Sequence, residues 1–214
     1  YIHCAVNHDV MAATPEALGA ISHYLATRGV GHFLPTTVTA SVDATLRGLE
    51  HIASAIESSH HDGAVPLGVH LEGPFVSHAK RGVHPPAHIL MPDIALFDRF
   101  QQAARGHVRL ITIAPENPGA IDLIRHAISQ GVRVSIGHSN ALAVEARAAI
   151  SAGATSATHT FNAMRPLDHR EPGILGIVLD NDTLFAELIC DGIHVAPEIV
   201  RLFLKAKGMD RGIL

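Results

Sequence analysis

Apolar residues along the 214-residue chain recur with two periods that alternate. After Thr14, Pro15 and Glu16 they return at helical spacing as far as Arg28, just ahead of Gly29. A hydroxyl cap, a proline at the first helical position, an acidic first turn and a closing glycine mark both ends of that helix. His32 to Thr39 (HFLPTTVT), rich in β-branched and aromatic residues, predicts a strand, and Asp43 to Ser58 predicts a second helix. The succession recurs with strands expected at 66–72, 108–114, 132–137, 154–160 and 184–190, each followed by a helical stretch. These strands are near-continuous apolar runs, the pattern that parallel strands buried on both faces produce.

Six strand–helix segments in sequence predict an α/β fold, and first of all a (β/α)8 barrel of the TIM type. Such a barrel takes about 250 residues, so this one is expected to be incomplete by about one segment at each end. Tyr1 to Ala5 would be the stub of the first strand, and Arg211 to Leu214 the start of the last, cut short. An open doubly wound sheet is the other architecture that the pattern permits. One domain over residues 1–214 is expected in either case.

Composition narrows the function. With 47% hydrophobic and 17% charged residues the chain can bury a substantial core. The formal charge of −4 is spread over interspersed acids and bases, without the basic run that binds nucleic acid. Stretches such as Leu184 to Cys190 fall far short of the roughly 20 apolar residues of a membrane span, and no leader is expected. Cys4 and Cys190 make no disulfide framework, which fits reduced thiols and a cytoplasmic protein. Seventeen histidines raise the expectation of a metal site, although His51, His60, His61, His107 and His126 lie where surface or packing roles suffice.

In a parallel α/β barrel the functional groups sit at the carboxyl ends of the strands. Here those ends are polar: His70-Leu71-Glu72-Gly73-Pro74, Gly137-His138-Ser139, Thr158-His159-Thr160, and Cys190-Asp191-Gly192-Ile193-His194. Taken singly, Glu72 reads as a strand-end ion pair, and His138 and His159 as hydrogen-bonded histidines. Jointly, one carboxylate and two imidazoles match the donors of a divalent ion, and three protein ligands leave a position for water.

The segments HLEGPF (70–75), GHSNA (137–141), HTFNAM (159–164) and DGIH (191–194) stand in the order and approximate spacing of the N-acetylglucosamine-6-phosphate deacetylases. The chain resembles that family of the amidohydrolase superfamily over essentially its whole length. The resemblance implies that Glu72, His138 and His159 bind the active-site metal, usually zinc, with iron and others able to replace it, and with one ion or two. It implies that Asn162 and the backbone of Ala163 bind the substrate's phosphate. Arg170, in PLDHREPG, resembles the arginine that reaches the neighbouring subunit's site in a homodimer. A guanidinium suits a phosphate because its planar fork donates two hydrogen bonds. His194 resembles the histidine that contacts the sugar and supports catalysis by polarising the acetyl carbonyl. Val83, by its backbone, and His84 match the loop over the sugar, and Asp191 reads as a structural acid.

The implied reaction is removal of the acetyl group from N-acetyl-D-glucosamine 6-phosphate, giving glucosamine 6-phosphate and acetate in amino-sugar catabolism or recycling. The proton-carrying aspartate of the family is expected just after Leu214, so residues 1–214 alone are expected to be inactive. The family's small β-sandwich domain is expected to be absent, and of the His-x-His pair that many amidohydrolases carry after strand 1 the sequence offers only His3, with His8 further on, which leaves one metal or two open. The alternatives are a deacetylase of another N-acetylhexosamine 6-phosphate and a noncatalytic relative that binds sugar phosphate.

Overall fold

The computed structural model describes residues 2–12, 14–58 and 62–214. It divides into two compact units, Tyr1–Pro74 with Asp93–Ile111, and Phe75–Pro92 with Thr112–Leu214.

In the first unit, β1 (Cys4–Ala5) and β2 (His8–Asp9) form an antiparallel pair. The chain turns between them on Val6 and Asn7, both in left-handed backbone, a conformation that asparagine tolerates well. The strand stub expected over Tyr1–Ala5 is therefore corrected. Ile2 bridges Pro35 in parallel as a first strand would, but Cys4 and Ala5 fold back on His8 and Asp9. Tyr1 lies outside the described residues.

Helix α1 (Pro15–Thr27) starts where Thr14 accepts a hydrogen bond from Ala17 N, and it buries Leu18, Ile21 and Leu25. β3 (His32–Phe33) pairs in parallel with β4 (Val65–Pro66), and Thr36 bridges His70 in β5 (Val69–Glu72). The single strand expected over 66–72 is broken at Leu67 and Gly68. A Cβ on Gly68, whose φ is +154°, would clash with the Arg109 side chain and the His107 carbonyl, so the close approach requires glycine. Beyond the break, Val69 N donates to His107 O beside the start of β6 (Val108–Ile113), whose first four residues belong to this unit.

Helices α2 (Val42–Glu57) and α3 (Ile94–Ala103) are capped by Ser41 and Asp93, which accept from Ala44 N and Leu96 N. They bury Leu49, Ile52 and Ala53, and Phe97 and Phe100. His107 sits on Glu57, the packing role expected of it, while His60 and His61 lie outside the described residues.

In the second unit, β7 (Arg133–Ile136), β8 (Ser156–Ala157), β9 (Phe185–Glu187) and β10 (Gly212–Ile213) pair in parallel in the order β10-β9-β8-β7. The carboxyl end of β6 follows, with Gly137 N donating to Ile113 O. Helices α4 (Ala120–Ser129), α5 (Ala143–Ser151), α6 (Gly173–Asp180) and α7 (Pro197–Arg211) separate these strands in the sequence. α6 is buried from Gly173 to Val178, as a helix apolar on every side must be. Lys207 of α7 closes its carboxyl end, donating through Nζ to Val178 O at 2.9 Å and to Asn181 O. A buried ammonium is tolerated there because it meets helix-end carbonyls, although burial lowers its pKa.

Both units are thus α/β with parallel strands, as the apolar runs predict. In neither do the described strand pairings close on themselves, so the coarser α/β expectation holds and the closed barrel does not follow from these pairings. Among the described residues no helix is long and apolar enough to cross a membrane.

Candidate metal and phosphate site

The second unit carries two of the three expected ligands. His138 follows β7 and His159 follows β8, and both rings are buried. Both residues, together with Phe161 and Ala163, have positive φ, at 45°, 29°, 78° and 51°. A non-glycine residue held there costs about 1–3 kcal/mol and persists only where its surroundings impose it.

Those surroundings also set the proton positions. His138 Nδ1 lies 3.0 Å from Lys80 O, and His159 Nδ1 lies 3.2 Å from Asn162 O. A carbonyl oxygen only accepts, so each Nδ1 donates and each neutral ring keeps its lone pair on Nε2. The two Nε2 atoms face each other at 2.9 Å. Two lone pairs at that distance repel unless a proton is shared between them or a cation accepts both. Backbone carbonyls on the far nitrogens of two converging imidazoles are the usual support of metal-binding histidines.

His84, fully buried, meets His138 edge-on with ring centroids 4.4 Å apart. Gly82 lets this loop close on the ring: its φ is +57°, and a Cβ there would stand 3.1 Å from His138 Cε1. Beneath the pair, the Thr158 hydroxyl is 2.8 Å from Thr112 Oγ1 and donates to Ser135 Oγ at 2.7 Å.

In the first unit Glu72 ends β5 and is buried. His3 Nε2 lies 3.5 Å from its Oε2, while His3 Nδ1 is 3.1 Å from Thr36 O. Glu72, His138 and His159 are all buried, and each offers one atom that can bind a metal ion. Their donor set, one carboxylate oxygen and two imidazole nitrogens, fits zinc.

The other expected residues occupy distinct places. The buried side-chain nitrogen of Asn162 has no hydrogen-bond partner among the described residues, while its backbone N donates to His159 O at 3.0 Å. A buried donor without an acceptor is rare, and water or a bound ligand can supply one. Val83 is an exposed tip, 83% accessible, beside the buried His84. Arg170 stands exposed on the loop between Arg165 and Gly173, its backbone N donating to Asp168 Oδ1. Glu171 anchors that loop by accepting from Ala143 N at 2.7 Å and Gly173 N at 3.0 Å, and these two bonds lower its pKa.

His194 is exposed, with Nδ1 2.6 Å from Asp191 Oδ2, and its backbone N and that of Ile193 donate to Asp191 Oδ1. The His194 and Ile193 backbone bonds, then the His194 ring, pull the Asp191 carboxyl down to about 2. Asp191 thus holds the turn that follows it and orients the His194 ring. The sequence reading passed over Glu116, in the loop after β6, whose carboxylate takes two hydrogen bonds from Ser139 and Asn140. Its signal was available: it is a carboxylate just past a strand's carboxyl end.

No protein-family model matches the chain. An N-acetylglucosamine-6-phosphate deacetylase of Bacillus subtilis (strain 168) is 39% identical over 100% of this chain and 54% of its own length. An N-acetylgalactosamine-6-phosphate deacetylase of Escherichia coli O157:H7 is also 39% identical, over 94% of this chain and 53% of its own. Among solved structures, the N-acetyl-D-glucosamine-6-phosphate deacetylase of Mycobacterium smegmatis superposes with a TM-score of 0.93 at 35% identity, covering 99% of this chain and 55% of that one. An aspartate-to-alanine variant of that enzyme, in complex with N-acetyl-D-glucosamine-6-phosphate, superposes at 0.90 with 35% identity, covering 99% and 54%. The chain spans about half the length of the relatives it matches.

Proposed function

From the premise that this chain is homologous over its whole length to the N-acetylglucosamine-6-phosphate deacetylases, a family of amidohydrolases, we propose that the protein carrying it deacetylates an N-acetylhexosamine 6-phosphate, foremost N-acetyl-D-glucosamine 6-phosphate. Water adds to the acetyl carbonyl carbon, the C–N bond breaks, acetate leaves, and the sugar nitrogen gains the proton. With glucosamine 6-phosphate as its product, the reaction would belong to amino-sugar breakdown or recycling, and we propose the cytoplasm as its compartment.

The observation that carries the metal-dependent form of this reading is the facing Nε2 pair of His138 and His159, with both Nδ1 atoms committed to carbonyls. These two and Glu72 would hold one divalent ion, zinc first and iron or another in its place, with a second ion as the two-metal variant. When bound, such an ion polarises the acetyl carbonyl and makes water a nucleophile near neutral pH. The surrounding barrel is proposed as a partial (β/α)8 domain.

The remaining roles fall to the chain's polar groups. The Asn162 amide, in search of an acceptor, and the backbone of Ala163 would bind phosphate. Arg170, exposed on an anchored loop, would reach the phosphate of a second protomer in a homodimer. His194, oriented by Asp191, would touch the acetyl oxygen, while Val83, by its backbone, and His84 would face the sugar.

A second substrate is favoured by one finding: the relative that acts on the galacto epimer is as similar to this chain as the gluco enzyme is. Acetate release by the full-length protein should therefore be measured on both epimers, with metal content determined alongside. Turnover of either phosphosugar and none of the unphosphorylated sugars is expected. Binding of both without acetate release would instead mark a sugar-phosphate sensor, and activity confined to a cyclic amide would overturn the reading.

A further inference from the structure

Resting on the metal-binding reading above, we propose that Glu116 is a positioning residue, which holds the ligand His138 in its left-handed backbone and ties that ligand's loop to the one bearing Asn162 and Ala163. Glu116 Oε1 accepts from Asn140 N at 2.6 Å, and Oε2 accepts from Ser139 Oγ at 2.7 Å. One carboxylate thus fastens the two residues that immediately follow His138. The Ser139 hydroxyl is fixed on its other side as well, accepting from Ala141 N at 3.0 Å.

The direction of the His138 ring depends on its backbone. A side-chain-bearing residue at φ +45° relaxes to negative φ unless both flanks are held. On the near flank, Gly137 N donates to Ile113 O, and the His138 carbonyl accepts from Ser77 N at 2.8 Å. The far flank is Ser139 and Asn140, and the charged acceptor on that flank is Glu116. Bonds to a carboxylate are shorter and stronger than bonds to a neutral acceptor, which suits a residue whose work is to oppose strain.

Ser139 carries the effect onward. Its N donates to Ala163 O at 3.0 Å and its carbonyl accepts from Arg165 N at 2.9 Å, with a parallel bridge to Met164. Ala163 is itself left-handed at φ 51°. The same clamp therefore registers the imidazole that would bind metal against the loop that would bind phosphate. Glu116 acts through His138 and its loop, with one bond of the clamp on each carboxylate oxygen.

The test compares E116A, E116Q and S139A with the wild type in the full-length protein. Zinc affinity is read by chelator competition, and the cobalt-substituted protein by its visible absorption bands. Melting without metal is recorded for each. E116A should weaken zinc by about 10- to 100-fold and shift the cobalt bands. E116Q, whose amide oxygen still accepts from Asn140 N, should recover most of that loss, and S139A should fall between them.

An E116A protein with wild-type zinc affinity and wild-type cobalt bands would overturn the proposal. Should E116A fail to fold, S139A decides in the same way, since it removes one bond of the clamp and leaves the other. A wild-type protein that takes up neither zinc nor cobalt would overturn the metal-binding reading itself. Uptake by the wild type with equal uptake by the variants overturns the Glu116 role alone.

Discussion

Replacing His159 by alanine separates the cost of the facing imidazoles from their use. In the wild-type protein the Nε2 atoms stand 2.9 Å apart, so a cation that accepts both lone pairs should stabilise the folded chain and bind the unfolded one poorly. At free zinc about 100 times the dissociation constant, that linkage contributes about 2.7 kcal/mol. For a domain of this size each kcal/mol moves the melting temperature by about 2–4 °C, so zinc should raise it by about 5–11 °C over the EDTA value. H159A removes the bond from Nδ1 to the half-buried Asn162 O, at about 1–3 kcal/mol. Against this stands relief of the Nε2 confrontation, so the metal-free variant should melt only a few degrees below the metal-free wild type. The decisive quantity is the zinc-minus-EDTA difference within each protein, from differential scanning fluorimetry at several zinc concentrations. It should fall close to zero in H159A. A shift in H159A equal to that of the wild type would refute the assignment of this pair as ligands.

Other outcomes follow from the same structure. R170A should raise KM for the phosphosugar by about 10- to 150-fold, the equivalent of about 1.5–3 kcal/mol of charge-assisted hydrogen bonding, with zinc affinity unchanged; steady-state kinetics and chelator competition check both halves. Asp191 is held below its ordinary value of 3.8, so its stabilising contribution is complete above that value and is lost as pH falls toward about 2. Urea midpoints measured through that window should fall more steeply in the wild type than in D191N. Glu171 is lowered from 4.5 by the backbone bonds of Ala143 and Gly173, so its contribution is likewise lost as pH falls below that value, and E171A should loosen the Arg170 loop and raise KM. F97A, at a fully buried position of α3, should lose about 3–5 kcal/mol in a urea titration.

What the sequence makes legible is what local chemistry decides. Thr14 caps the helix that its position announces, and the apolar runs become parallel strands. The strands are shorter than the runs, however: of the expected 154–160 only Ser156 and Ala157 form regular strand, although Thr158 N and Thr160 N still donate to Ile136 O and Glu187 O. The remainder of that run, Thr158 to Thr160, is buried as well, and it carries the bonds of the Thr158 hydroxyl and the candidate ligand His159. Burial alone writes an apolar run, and it does not say where the regular strand stops. The fold-back of Cys4 and Ala5 onto His8 and Asp9 was hidden likewise, because a two-residue ribbon leaves no period to read.

The candidate site was legible as residue types and illegible as backbone. Glu72, His138 and His159 stand out because polar residues end apolar runs, yet the left-handed turns at His138, His159, Phe161 and Ala163 have no local signature, since no glycine marks them. Strain of about 1–3 kcal/mol at each must be offset by contacts from elsewhere in the fold. Those contacts come from the carbonyls of Lys80 and Asn162, the amide of Ser77 and the carboxylate of Glu116, residues that a search for ligands passes over. Such turns persist here only because many groups hold them at once. A site of this kind should therefore lose its ligand geometry, and with it its metal affinity, before it loses its fold.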